Sequence, residues 1–139
     1  MSTDFKAITK RLYDEANKGN FDAYDEYYAP DFVLHQPPFP DIKGLKVYKR
    51  YMANMLASFP DGKVTIDELI VEGNIGVVRA TTRGTNTGQS KAFPFPPTGK
   101  SVAWSGCLVN RMEGGKILET WGYWDNLGLM QQLGIIPSM

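Results

Sequence analysis

The sequence predicts an α+β fold in which helices come first and a curved, mainly antiparallel sheet follows. In roughly the first sixty residues, apolar side chains recur every three or four positions, the period of an amphipathic helix. Beyond that point the period falls to two, and short glycine-containing turns link the extended segments as in β-hairpins. Helices followed by hairpin-linked strands are typical of α+β proteins that carry their helices on one face of the sheet.

Three helices are predicted in this first part of the chain. The first runs from Phe5 to Ala16. The second follows Asn20, whose side chain can cap a helix, and ends before Pro30. The third, from Leu45 to Phe59, has the clearest apolar face.

Five strands and a short final helix are predicted in addition. The strands are Phe32 to His35, Lys63 to Glu72, Ile75 to Gly84, Ser101 to Met112 and Lys116 to Trp124, and the helix is Asp125 to Leu133. Segments 36–40 and 88–100 each contain three prolines, which lack the backbone N–H that a sheet needs, so both are predicted to be loops. The second loop is a candidate rim or lid.

Composition and charge limit the possible functions. The 139 residues have the size of one domain, so 1–139 is predicted to fold as a single unit. Fifteen basic residues balance fifteen acidic ones, which gives no electrostatic attraction to nucleic acid or anionic membranes. No apolar run approaches the roughly 18 residues of a membrane span. Cys107 is the only cysteine and is expected to be buried. A single cysteine and an N-terminus without the features of a signal peptide lead us to expect a cytoplasmic location.

Five short segments carry a family resemblance. They are Val33-Leu34-His35, Phe59-Pro60-Asp61, Pro97-Thr98-Gly99-Lys100, Gly115-Lys116-Ile117, and WGYWDNLGLMQQL from Trp121 to Leu133. Together they resemble the SnoaL-like polyketide cyclases of the nuclear transport factor 2-like superfamily, and the resemblance covers nearly the whole chain. It implies a cone-shaped α+β barrel with an apolar pocket between the sheet and the third helix, and a homodimer formed through the outer sheet face. It also implies intramolecular aldol ring closure without metal or cofactor, with Asp125 at the position of the acid/base aspartate.

Asp125 has two possible roles. It follows an aromatic-rich strand, where desolvation would make its carboxylate a stronger base for removing a proton next to a carbonyl group. It also stands where a helix begins, and an aspartate there is often only a cap for the helix. The sequence leaves both roles open.

His35 and Asn86 are the candidate polar partners of Asp125. His35 is the only histidine, which excludes a histidine-cluster metal site; it could donate to a substrate oxygen or relay a proton, or it could be purely structural. The resemblance places Asn86 where several relatives carry histidine. An amide can orient a carbonyl group but cannot transfer a proton, and the flanking glycines favour a turn.

Aromatic and methionine side chains are the candidate pocket walls, because they suit a planar, mostly apolar ligand. They are Met52, Met55, Phe59, Trp104, Trp121, Tyr123 and Trp124. In a regular strand Trp121, Tyr123 and Asp125 share one face and Trp124 takes the other, so only one of these groups can line the pocket.

The function predicted from these residues is that of a cofactor-independent SnoaL-like cyclase acting on a hydrophobic, polyketide-like carbonyl compound. Asp125 and His35 are the predicted catalytic residues, with Asn86 and the wall residues as substrate contacts. The alternatives are an epoxide hydrolase or isomerase of the same fold, for which Arg79 and Arg83 would be available, or a small-molecule binding protein without catalysis.

Overall fold

The computed structural model describes residues 4–138. It contains four α-helices, a short 3-10 turn and six strands. The helices are α1 (Phe5–Asn17), α2 (Tyr24–Tyr27, preceded by the 3-10 turn Phe21–Ala23), α3 (Leu45–Ser58) and α4 (Asn126–Gln132). The strands are β1 (Tyr28–His35), β2 (Ile42–Lys43), β3 (Lys63–Glu72), β4 (Ile75–Thr85), β5 (Ser101–Glu113) and β6 (Lys116–Trp124). The predicted α+β class is confirmed.

All six strands belong to one mixed sheet in the order β2-β1-β6-β5-β4-β3. Every pairing is antiparallel except that of β1 with β6, which is parallel. The short turns predicted after β3 and β5 are present, and Gly73, Gly114 and Gly115 supply the positive φ angles that such turns need. The sheet does not close, because β2 and β3 stand at its two edges, so the expected barrel is an open sheet.

β1 begins earlier than the sequence predicts. The expected second helix continues only to Tyr27, and the strand then runs through Pro30. The register between β1 and β6 shifts between Tyr28 and Val33. Pro30 lies inside this irregular part, where its missing N–H interrupts no regular ladder.

The helices pack against one face of the sheet, called the inner face here. Asp4 caps α1, its Oδ1 accepting from the backbone N–H groups of Lys6 and Ala7. Phe5 of α1 lies so close to β4 that a Cβ added to Gly76 would overlap its ring. A glycine is therefore needed at this crossing.

The core has two parts along the inner face. Eleven buried residues form the larger cluster between α1, α2, α3 and the strands β1, β5 and β6. A second cluster joins the end of α3 to the 86–100 loop and α4; its buried members are Phe59, Phe93, Val102, Trp104, Leu129 and Leu133. The space between the two clusters holds the cavity described next.

None of the helices within residues 4–138 has both the length and the apolar character of a membrane span.

Candidate functional site

A cavity of about 390 Å³ lies between the inner sheet face and the helices. This volume is within the usual range for sites that bind small organic molecules, about 300–1,000 Å³. Its wall includes the predicted residues Met52, Met55, Phe59, Trp104 and Trp124. Phe59 stacks obliquely on Trp104, with ring centroids 5.2 Å apart, so an aromatic surface forms one side of the cavity.

Strand β6 decides which predicted residues can reach the cavity. Thr120, Gly122 and Trp124 alternate along the strand and line the cavity. Trp121 and Tyr123 therefore project from the opposite, outer face, as the pleat of a strand requires. The prediction of these two side chains as pocket walls is corrected, because neither can contact a ligand inside the cavity.

Asp125 caps helix α4. Its Oδ1 accepts the backbone N–H of Gly128 at 2.9 Å, and the residue is exposed. Its neighbours Trp124 and Asn126 both line the cavity, but Asp125 does not. In this conformation the carboxylate lies at the rim rather than inside, contrary to the inward orientation that acid/base chemistry requires.

His35 lies on the outer face in a network of charged groups. Its Nε2 is 2.6 Å from Glu119 and its Nδ1 is 2.9 Å from Asp41. Its ring stacks on Trp121 with centroids 5.4 Å apart, and Arg111 is 3.2 Å from the other oxygen of Glu119. The hydrogen bond to Glu119, and next that to Asp41, raises the pKa of His35.

This network separates His35 from the cavity. The hydrogen bond with His35, with a smaller one from Arg111, holds the pKa of Glu119 below its ordinary value. Both ring nitrogens face carboxylates, so the protonated imidazole is the favoured form. The expected pairing of His35 with Asp125 is not formed, because β1 and β6 direct the imidazole to the outer face.

Asn86 holds the base of the 86–100 loop. It is fully buried, and its Nδ2 donates to the carbonyl oxygens of Ser58 and Gly88 at 3.2 and 3.3 Å. Its Oδ1 accepts from the backbone N–H and the hydroxyl of Thr98 at 2.9 and 3.1 Å. The amide is thus occupied by the protein itself and does not line the cavity, which corrects its predicted place as a substrate contact.

One prediction fails on the outer face, and one alternative function loses support there. Cys107 is exposed rather than buried, since β5 turns its side chain away from the helices. Arg79 pairs with Glu68 at 3.3 Å and with Asp67 at 3.8 Å, but this Asp-Arg-Glu group is also outside the cavity. These three side chains therefore cannot act on an epoxide that is bound in the cavity.

Tyrosines are the polar residues of the cavity that sequence reasoning missed. Five of the seven tyrosines line it: Tyr13, Tyr24, Tyr28, Tyr48 and Tyr51. A tyrosine at helical spacing fits the apolar stripe of a helix as well as a phenylalanine does, although its ring also brings a hydroxyl group. Gln36 donates to the hydroxyl of Tyr51 at 3.3 Å, and Thr120 donates to Asn110 at 2.6 Å.

The rest of the cavity wall is mostly apolar, with a few neutral polar side chains. Among residues 4–138, no carboxylate and no imidazole lines it, and Lys63 is its one cationic side chain. No group of three or more histidine, cysteine, aspartate or glutamate side chains in this range is arranged to hold a metal ion. The arrangement suits a neutral, hydrophobic molecule with a few oxygen atoms.

Comparison with known proteins places this architecture in a family. The family model of SnoaL-like polyketide cyclases matches residues 7–133. The chain belongs to this family. Among curated protein sequences there is no match.

Solved structures of SnoaL-like proteins share the fold over nearly their whole length. A candidate polyketide cyclase from Acidithiobacillus ferrooxidans is 32% identical, with a TM-score of 0.80 over 97% of this chain and 99% of that one. A candidate SnoaL-like polyketide cyclase from Jannaschia sp. CCS1 is 25% identical, with a TM-score of 0.83 over 94% and 92%. IdmH of Streptomyces antibioticus, a further candidate polyketide cyclase, is 26% identical, with a TM-score of 0.80 over 93% and 97%.

Proposed function

We propose that this SnoaL-like protein binds a hydrophobic, ring-containing carbonyl compound in the cavity. The observation that carries the proposal is the character of the wall. It consists of aromatic rings, methionines and tyrosine hydroxyls, and no carboxylate or imidazole from residues 4–138 lines it. Aromatic faces and flexible thioethers favour a planar apolar ligand, while neutral hydroxyl groups can bind its oxygen atoms.

Two tryptophans on β6 provide a matched test of binding. Trp124 lines the cavity and Trp121 lies on the outer face of the same strand. We expect Trp124→Leu to weaken binding of the aryl ketone β-acetonaphthone about 5- to 30-fold, the loss expected for about 1–2 kcal/mol of aromatic contact. Trp121→Leu should leave the affinity unchanged. Isothermal titration calorimetry measures both, and equal effects of the two substitutions would place the ligand elsewhere.

We further propose that the bound compound undergoes intramolecular aldol-type ring closure. Family membership supports this reaction, as does the position of Asp125 between two residues that line the cavity. To act as the base, the carboxylate must leave Gly128 and turn inward, because its present hydrogen bond directs it along the helix end. It would then take a proton from carbon next to a carbonyl group, and that carbon would attack a second carbonyl carbon. The oxygen of the second carbonyl group would become an alkoxide and take the proton back from the Asp125 carboxyl group.

The pair Asp125→Asn and Asp125→Ala separates the catalytic role from the capping role. Asparagine still caps a helix but cannot accept the substrate proton, whereas alanine loses both functions. Ortho-acetonylbenzaldehyde is a suitable probe, because its ring closure with loss of water yields fluorescent β-naphthol. We expect both variants to lose turnover and only the alanine variant to lose stability, by about 0.5–2 kcal/mol. Full turnover in Asp125→Asn would exclude Asp125 as the base.

Binding without catalysis is the second candidate function. The observation that favours it is the engagement of the Asp125 carboxylate as a helix cap. In that case every Asp125 variant would bind β-acetonaphthone with the affinity of the wild type, and the wild type itself would not accelerate the ring closure.

We also propose that the protein forms a homodimer through the outer sheet face, as the family resemblance implies. Ile70, Val77, Val109 and Trp121 are neighbours in register across four strands of that face, and Ile70 and Tyr123 are 57% and 54% exposed. An exposed apolar strip of this kind is suited to association. Sedimentation should detect a dimer that Tyr123→Lys converts to a monomer; a monomeric wild type would contradict the proposal.

A further inference from the structure

Strands β5 and β6 carry a buried polar pair on the part of the sheet that forms one wall of the cavity. Asn110 of β5 and Thr120 of β6 are opposite each other in register, and both line the cavity. Asn110 is 6% exposed and Thr120 is 2% exposed. A buried polar side chain costs free energy unless its hydrogen bonds are made, so the bonds of this pair show which of its atoms the protein itself uses.

Two hydrogen bonds fix the orientation of the Asn110 amide group. The hydroxyl group of Thr120 donates to Oδ1 at 2.6 Å, and Nδ2 donates to the backbone carbonyl of Gly76 on β4 at 3.4 Å. A carbonyl oxygen can only accept, so the end of the amide group that faces Gly76 must be the nitrogen. The side chain is thus held between the two strands that flank β5, with its nitrogen toward β4 and its oxygen toward β6.

One N–H group of Asn110 is left for a ligand. Nδ2 carries two hydrogen atoms, and in the part of the chain that the structure describes it makes only the bond to Gly76. The acceptor of that bond lies in the sheet, so the bond uses the N–H on the same side of the amide group as Cβ. The second N–H points away from Cβ, toward the cavity. Because Thr120 donates to Oδ1, it polarises the amide group and makes this N–H a stronger donor.

The sheet beside this pair leaves room for a flat ring. Gly122 comes between Thr120 and Trp124 on the cavity face of β6, and it has no side chain to fill the space above the strand. Thr120 and Trp124 are four residues apart, about 13 Å along a strand. This spacing suits a molecule of two or three fused rings that lies over Gly122, contacts Trp124 at one end and presents an oxygen atom to Asn110 at the other.

We propose that the free N–H of the Asn110 side chain binds the carbonyl oxygen of the ligand, and that Thr120 is the positioning residue that holds the amide group. This inference rests on the proposed function, since it requires that the cavity binds a ring-containing carbonyl compound. It adds where the oxygen lies, on the sheet side of the cavity. It also adds the chemical class, which is a molecule of two or three fused rings with a neutral carbonyl group at one end.

A ketone and its hydrocarbon analogue test this contact. β-Acetonaphthone and β-isopropenylnaphthalene have nearly the same shape, but the second has a methylene group in place of the carbonyl oxygen. Their transfer from water differs, so the quantity to compare between variants is the ratio of their two dissociation constants, measured by calorimetric or competition titration. In Asn110→Leu/Thr120→Val, which removes both buried partners together, this ratio should change about three- to tenfold against the ketone. Retained binding of the hydrocarbon shows that the variant keeps its cavity.

Thr9→Val is the matched control. Thr9 is also buried and lines the cavity, but its hydroxyl group donates to the Phe5 carbonyl at 2.7 Å, so this substitution should leave the ratio unchanged. Nuclear magnetic resonance of isotope-labelled wild type tests the contact without any variant, and it decides the question if the double variant does not fold. The ketone, but not the hydrocarbon, should shift one of the two Nδ2 protons of Asn110 downfield.

Three results would overturn the assignment. They are a ratio that the double variant leaves unchanged, an equal change of the ratio in Thr9→Val, and an Nδ2 proton that responds alike to both ligands. Failure of the proposed function has a different signature, since in that case neither compound binds to the wild type at all.

Discussion

Replacement of Asn86 by alanine should destabilise the protein through the loop that this residue anchors. The side chain is fully buried and makes four hydrogen bonds, two to carbonyl oxygens and two from Thr98. Its backbone also bonds the far end of the loop, to Lys100 and Gly99. One amide thus joins the start of the loop, its end and the last turn of α3.

The loss in free energy of unfolding can be worked out bond by bond. A typical buried hydrogen bond contributes about 0.5–1.5 kcal/mol net to stability, and a buried partner left unsatisfied adds to the loss. The Ser58 carbonyl keeps one compensating bond from the N–H of Gly88 at 3.2 Å, but the N–H of Thr98 loses its acceptor. Asn86→Ala should therefore lower the free energy of unfolding by about 2–4 kcal/mol, a melting-temperature decrease of about 6–15 °C for a domain of this size.

Urea unfolding followed by circular dichroism measures this change, and limited trypsin digestion at the exposed Lys91 reports on the loop itself. Gln89→Ala is the matched control. It removes one exposed bond within the same loop, to the Pro94 carbonyl at 3.1 Å, and should cost less than about 0.5 kcal/mol. A loss below about 0.5 kcal/mol for Asn86→Ala would refute the reasoning that its amide anchors the loop.

The other predictions concern the outer-face network and the crossing of α1 over β4. Because the pKa of His35 is raised in the folded state, protonated His35 stabilises the protein fully below pH 6.5, its ordinary pKa, and this stabilisation is lost as the pH rises through the raised pKa. Because the pKa of Glu119 is lowered in the folded state, ionised Glu119 stabilises the protein fully above pH 4.5, its ordinary pKa, and this stabilisation is lost as the pH falls through the lowered pKa. The stability difference between wild type and His35→Gln, measured by urea unfolding, should thus be largest at about pH 5.5 and shrink by pH 9; a constant difference would exclude the ion pairs as its cause. Gly76→Ala should lower the free energy of unfolding by about 1–3 kcal/mol, because the new methyl group overlaps the ring of Phe5. In a double-mutant cycle, adding Phe5→Leu to this variant should recover part of that loss.

Much of the fold follows from local pattern. The bounds predicted for β3 and β6 agree with those observed, because glycine turns and changes of period mark both ends. The N-terminus of α4 was also predictable, since an aspartate before an apolar helical stripe is a common cap. What local pattern could not reveal was closure of the sheet, which depends on whether the distant edges β2 and β3 meet.

The site was less predictable because it depends on which side of each strand the helices cover. Alternation along β6 separates Trp121 and Tyr123 from Trp124, but the same alternation would hold with either set inside. The tyrosine group is assembled from four elements far apart in sequence, so no short motif records it. The capping hydrogen bond of Asp125 is likewise a question of side-chain orientation, which residue type alone leaves open.

The parallel pairing of β1 with β6 has a consequence for the synthesis of the chain. His35 and its partner Glu119 are 84 residues apart, whereas β3 and β4, and β5 and β6, are joined by tight turns. A ribosome adding about 5–20 residues per second needs several seconds to deliver the second strand after the first. During that interval β1 has an open edge toward which another nascent chain could add a strand. A ribosome that stalls before β6 should therefore yield aggregation-prone chains, and chaperones that cover extended segments should bind this intermediate.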